Sequence, residues 1–322
     1  MKFVSLPDNG SSWRGRLLYG FTTEETEPQD VMVEIIDAMS SSRLGAMRLY
    51  GVTEAEVDIA SYIRPHLSLM PVNVNRRLEL TSSPSAIAVI VRINGVESER
   101  RVFFRSQFDY SVVGPLSSHA MTGEVVFGEA IRLTLFAKSE ISVSVTCTGG
   151  KGLTMRASEV THGMPMELII PTSVSVGVEM IHISLRFDNS VSILYNYVVI
   201  PNTGKLKRLM WFNSIGGIES FVFDHSKRIS YSVERSDMNQ CGEGVKRAEG
   251  VLKYRLCTGY ELPAEMERVA QILLSPVVYR EVDGECRRVD ILSRDIAFDS
   301  KGMLCSIVLD ISEKWEGGKA IW

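Results

Sequence analysis

Ile181-His-Ile-Ser-Leu-Arg-Phe187 places an apolar side chain at every second position, and similar runs recur along the chain. A period of two puts all the apolar groups on one face of a strand, so such runs read as β-strands with one buried face. Ile131-Arg-Leu-Thr-Leu-Phe136 and Ile141-Ser-Val-Ser-Val-Thr-Cys147 alternate in the same way. Ser85-Ala-Ile-Ala-Val-Ile-Val-Arg-Ile93 is continuously apolar, as a strand buried on both faces would be. Asn94-Gly95 follows it and is the strongest short hairpin signal, with a return strand expected over 99–104. Strands at this density, separated by turn residues, predict sandwiches or barrels.

A chain of 322 residues is too long for one ordinary sandwich. Three modules are expected: a small N-terminal β module over 1–75, a β-sandwich over 76–203, and an α+β module over 204–322. In the first, Val31-Met-Val-Glu-Ile-Ile-Asp37 and Ala46-Met-Arg-Leu-Tyr50 are strands. Thr53-Glu-Ala-Glu56 matches a capping box, so a helical turn is expected from Thr53 to Pro65. In the third, the period changes. Leu262, Met266, Val269, Ala270, Leu273 and Leu274 form one stripe at helical spacing, with Pro263 at the first position and Ser275-Pro276 as the stop. The fold class is therefore mainly β: antiparallel sandwiches, then one amphipathic helix on an antiparallel sheet.

Composition narrows the function classes. Charged residues make up 23% and the net charge is −4, which gives no whole-protein basic field to concentrate nucleic acid. The N-terminus lacks the apolar stretch of a secretion signal, and the apolar runs are strand-sized. The chain is expected to be soluble, to span no membrane and to start in the cytoplasm. Five cysteines (147, 241, 257, 286 and 305) without paired spacing read as free thiols, not as a disulfide framework or a zinc site.

No constellation reads as catalytic, and no cofactor or metal is expected. The histidines at 66, 119, 162, 182 and 225 are scattered. Thr148-Gly-Gly-Lys-Gly152 has the wrong glycine spacing for a phosphate loop and reads as a hairpin turn. Ser214-Ile-Gly-Gly217 lacks the order of a nucleophile elbow. Asp290, Asp295, Asp299 and the run Glu24-Glu-Thr-Glu27 read as solvated loop acids. Arg100, Arg101, Lys205, Lys207 and Arg208 are expected to guard sheet edges by exposed charge. Trp211 reads as core. Trp13, Trp315 and Trp322 are the candidate interface residues, because aromatics favour interface cores and Trp322 ends a glycine-containing tail.

One resemblance adds to this. Arg208-Leu-Met-Trp-Phe-Asn-Ser-Ile-Gly-Gly-Ile-Glu-Ser-Phe-Val-Phe223, with Arg228-Ile-Ser-Tyr-Ser-Val-Glu234, the helix over 263–274 and Ser275-Pro-Val-Val-Tyr279, resembles the C-terminal half of β-rich structural proteins of Bacteroidetes phages and prophages. Leu44-Gly-Ala-Met-Arg-Leu-Tyr-Gly51 and Val57-Asp-Ile-Ala-Ser-Tyr-Ile-Arg64 resemble the N-terminal part of the same group. The resemblance implies a virion protein of a tail tip, distal tail or baseplate, made in the bacterial cytoplasm. Its implied partners are other tail or virion proteins, joined through subunit interfaces in a homo-oligomeric ring. The alternative is a non-catalytic cell-surface or carbohydrate-binding sandwich.

Overall fold

Strand pairing begins close to the N-terminus and reaches residue 321. The computed structural model describes residues 1–73, 77–105, 110–118, 121–149, 152–174, 177–188, 191–203, 206–223, 225–237, 245–282 and 284–321. His119, Gly150, Lys151, Asn189, Lys205, Cys241, Asp283 and Trp322 lie outside the described residues, as do the side chains of His225, Arg228 and Trp315.

The first five strands are β1 (Lys2–Ser5), β2 (Leu18–Thr22), β3 (Gln29–Asp37), β4 (Arg43–Val52) and β5 (Glu54–Asp58). The expected capping box at Thr53 does not form. Glu54–Asp58 pairs antiparallel with β2, and the Thr53 carbonyl accepts from the Thr23 amide. Period-two burial of Val57 beside Tyr19 outweighs the local helical signal. The helical turn, α1 (Ala60–Ile63), starts later, where Asp58 Oδ1 accepts from the Ala60 amide at 3.0 Å.

Next come β6 (Glu79–Ser82), β7 (Ala86–Ile93), β8 (Val96–Glu97) and β9 (Arg101–Phe104). Asn94 and Gly95 turn the chain with φ of 45° and 90°, the two positive values that a type I′ turn requires. The expected boundary at residue 75 is corrected by pairing. β7 lies against β3 with Val91 opposite Ile35, and Val89, Val91, Ile93 and Phe103 complete the first core with Val31, Val33 and Ile35. β6 meanwhile joins the second module through β15. The first core therefore closes near residue 104, not 75.

The second module uses β10 (Gly114–Pro115), β11 (Thr122–Val126), β12 (Ala130–Phe136), β13 (Glu140–Thr148), β14 (Leu153–Val160), β15 (Met166–Pro171), β16 (Met180–Phe187) and β17 (Val191–Ile200). One sheet runs β10-β12-β15-β6 and the other β11-β17-β16-β13-β14. Ile131, Leu133, Leu135, Leu168 and Ile170 share one core with Val143, Val145, Ile183 and Leu185. This is the expected sandwich. β11 departs from the antiparallel rule and runs parallel to β17.

The third module contains β18 (Lys207–Phe212), β19 (Ile218–Phe223), β20 (His225–Asp237), β21 (Val245–Cys257), α2 (Pro263–Ala270), β22 (Val278–Val282), β23 (Glu285–Ile291), β24 (Asp299–Lys301), β25 (Leu304–Ser306) and β26 (Val308–Ile321). Seven strands pair in the order β19-β18-β22-β23-β26-β21-β20. α2 buries Met266 and Val269, and the turn after it buries Ile272, with Trp211, Leu256 and Leu309. Ala270 and Leu273 are half-buried, while Leu262 and Leu274 are exposed. Residues 271–274 tighten into a 3-10 turn, which rotates the stripe and replaces Leu274 by Ile272 at the core. The expected glycine-containing tail is also corrected: β26 continues to Ile321, which pairs opposite Arg247 on β21.

Cys147, Cys257, Cys286 and Cys305 are free thiols, the first three buried. Among the described residues, no helix is long and apolar enough to cross a membrane.

Candidate functional site

Arg132 and Thr134 alternate with Ile131, Leu133 and Leu135 on β12, so their side chains leave the sandwich core on its opposite face. That face meets the third module, and Arg132 and Thr134 are 1% and 0% exposed. The Ile218 amide donates to Thr134 Oγ1 at 2.9 Å. Arg132 donates through Nε to Glu281 Oε2 at 3.4 Å, through Nη1 to the Val72 carbonyl, and through Nη2 to Cys286 Sγ at 3.4 Å.

Two further guanidinium groups enter the same joint. Arg208 was expected at a sheet edge, but β18 is interior and the residue is 5% exposed. It donates to the Ala130 carbonyl and, at 2.8 Å, to Ser220 Oγ. Arg268, on α2, donates to Glu219 Oε2 at 3.0 Å and to Glu265. Glu219 Oε1 accepts from the Ser118 amide, the Ser118 hydroxyl and Asn213 Nδ2. Gly217 allows this close approach, since a Cβ there would fall 2.3 Å from the Leu116 carbonyl oxygen.

Arg132 and Arg268 thus face Glu167, Glu219 and Glu281, all buried. Burial pushes the Glu167 carboxyl up to about 7, opposed by Arg132, the Val72 amide and Ser83. Burial does the same to Glu129, also up to about 7, with Arg208 pulling the other way. Glu129 Oε2 and Glu281 Oε1 have no hydrogen-bond partner among the described residues. Both residues line a cavity of about 230 Å³ beside Lys207 and Arg280.

A larger groove, of about 1030 Å³, opens on the other side of Arg208, between β11, β19 and α2. Tyr197, Arg208, Ser220 and Arg268 line it, together with Glu124, Glu261 and Glu267. The charged network beneath it locks two modules together through paired guanidinium and carboxylate groups.

Apart from Lys207 and Arg208, the residues singled out in the sequence do not converge here. Trp13 packs against the first core, with Arg64 and Arg105 over its ring at 5.3 and 5.2 Å. Trp315 falls in β26. His66 and His162 are exposed, and His182 Nδ1 lies 2.6 Å from Asn196 Oδ1. Asp290, Asp295 and Asp299 are exposed. Thr148–Gly152 joins β13 to β14, with Gly149 at φ 84°. Sequence reasoning missed Arg132, Glu167, Glu219 and Glu281. Their signal was a charged residue inside an apolar run, as in Ile131-Arg-Leu133 and Met166-Glu-Leu-Ile169.

No family model matches the chain, and no curated protein matches it. Among solved structures it is similar to CBD12 from CALX1.2, with 12% identity over 55% of this chain and 76% of that one, at a TM-score of 0.16. It is also similar to DIP-gamma IG1+IG2, with 12% identity over 62% of this chain and 96% of that one, at a TM-score of 0.14. Likenesses at these TM-scores bear on neither fold nor function.

Proposed function

We propose that this chain is a non-catalytic structural protein of a phage or prophage tail, built to pair with other subunits. The observation that carries the assembly part is the set of long strands that end their sheets with one side unpaired among the described residues. β4 and β14 are such strands, ten and eight residues long, and each carries a large exposed apolar side chain, Tyr50 and Val160. An open edge of this length presents a row of backbone donors and acceptors that another strand can complete. The tail assignment is supported by the resemblance of residues 208–223 and 263–279 to phage structural proteins. Light scattering of the purified chain, alone and mixed with tail-tube and baseplate subunits, tests it. A particle larger than the monomer supports the reading. A monomer in every mixture, combined with binding on a glycan array, favours the carbohydrate-binding alternative instead.

A further inference from the structure

We propose that the groove between β11, β19 and α2 takes an extended, lysine- or arginine-bearing segment of another protein, which adds as a strand to the free edge of β11. This deepens the assembly reading, and rests on it, by naming one contact and the chemistry of its partner.

The backbone supplies the first argument. The Asn196 amide donates to the Met121 carbonyl, and the Phe127 amide donates to the Ile200 carbonyl. Odd-numbered residues of this strand therefore turn their backbone groups toward β17. By the period of two, Thr122 and Glu124 turn theirs the opposite way, and both residues line the groove. On the other wall, the Ile218 amide reaches Thr134 Oγ1 and the Ser220 carbonyl accepts from Arg268. Even-numbered residues of β19 thus turn away from β18, and Val222 presents its backbone groups to the groove. β11 and β19 end different sheets and do not pair with each other.

Charge supplies the second. Arg208 and Arg268 are committed to internal partners at the floor. The rim carries Glu124, Glu261 and Glu267, and Glu265 in the first turn of α2 offsets the positive end of that helix. The field at the mouth is therefore negative and suits a cationic segment. The third observation is Tyr197. It is 7% exposed, and its hydroxyl is buried without a hydrogen-bond partner among the described residues. It lies close enough to Arg208, Arg268 and Glu219 to feel their charges. A peptide carbonyl entering the groove would accept its proton.

The test uses the full chain and labelled eight-residue peptides, read by fluorescence anisotropy. One peptide alternates lysine and valine, one alternates glutamate and valine, and one is the lysine peptide N-methylated along one edge. Saturable binding of the lysine peptide alone is expected, with slowed hydrogen exchange at the Thr122 and Glu124 amides. Glu124→Gln with Glu267→Gln should weaken it about fivefold without shifting the melting temperature. Thr122→Pro removes an outward amide without touching the β17 ladder, and should weaken binding as well. Equal binding of the acidic or the N-methylated peptide, or exchange protection elsewhere, overturns the proposal. Sedimentation of the chain is measured alongside. Association without groove binding rejects this site and leaves the assembly reading standing.

Discussion

Arg132 Nε and Glu281 Oε2 lie 3.4 Å apart across the junction of two modules, and both side chains are 1% exposed. The residues are 149 positions apart in the chain, so this contact exists only when the sandwich and the third module are both folded and docked. Removing one partner would leave the other charge buried and uncompensated, a loss of about 3–5 kcal/mol. Glu281→Ala should therefore destabilise by that amount in urea unfolding. Arg132→Met combined with Glu281→Leu should cost less than Glu281→Ala alone. Additive losses would show that the two groups do not act as a pair.

The raised carboxyls give the joint a pH dependence of a definite sign. Glu167 sits at about 7 in the folded chain, against an ordinary value of 4.5, chiefly because it is buried. The folded state then holds this proton more tightly than the unfolded state. Stability should rise as pH falls from above 7 toward 4.5, by on the order of 3 kcal/mol for this group. Glu129 acts in the same direction. Melting temperatures of the wild type and Glu167→Gln between pH 8 and 5 check this, and the variant should lose part of the rise.

Helix α2 offers a paired comparison. Met266 is fully buried against the sheet, with the Thr258 hydroxyl 3.4 Å from its sulfur, whereas Leu274 is 85% exposed. Met266→Ala should cost about 2–5 kcal/mol, and Met266→Asp more, because it would bury an unpaired charge. Leu274→Asp should change stability by less than about 0.5 kcal/mol. Similar losses at both positions would contradict the rotated stripe.

Much of the fold was legible in the sequence where the signal is local. Asn94-Gly95 turned where two positive φ values were needed, and the stripe from Met266 to Val269 found its sheet. The failures share one cause, pairing between distant segments. Thr53 resembles a cap, yet Glu54–Asp58 is held by β2. Arg132 and Thr134 resemble a solvent face because nothing on β12 indicates that another module covers it. The division at residue 75 missed β7 because its partner, β3, lies some fifty residues upstream. The pairing of Arg132 with Glu281 was unreadable for the same reason, since the two groups come from different modules.

The C-terminal strand belongs to the fold and does not form the glycine-containing tail expected from the sequence. Glu313 accepts from Arg280 at 2.8 Å and from the Tyr254 hydroxyl at 2.6 Å, and the backbone beyond it pairs with β21. Deleting residues 313–322 should therefore lower the melting temperature of the chain itself. An unchanged melting curve would mean that the strand past Glu313 contributes nothing to the fold.

We propose unpaired sheet edges as the means of assembly. Sedimentation velocity of the full chain against a variant carrying Tyr50→Lys on β4 and Val160→Lys on β14 tests it. Both positions are exposed, at 70% and 59%, so the variant should melt like the wild type. Lysine on an edge opposes strand addition. The wild type should sediment as a larger species and the variant as a smaller one. Equal sedimentation of the two, with the fold intact, would contradict it.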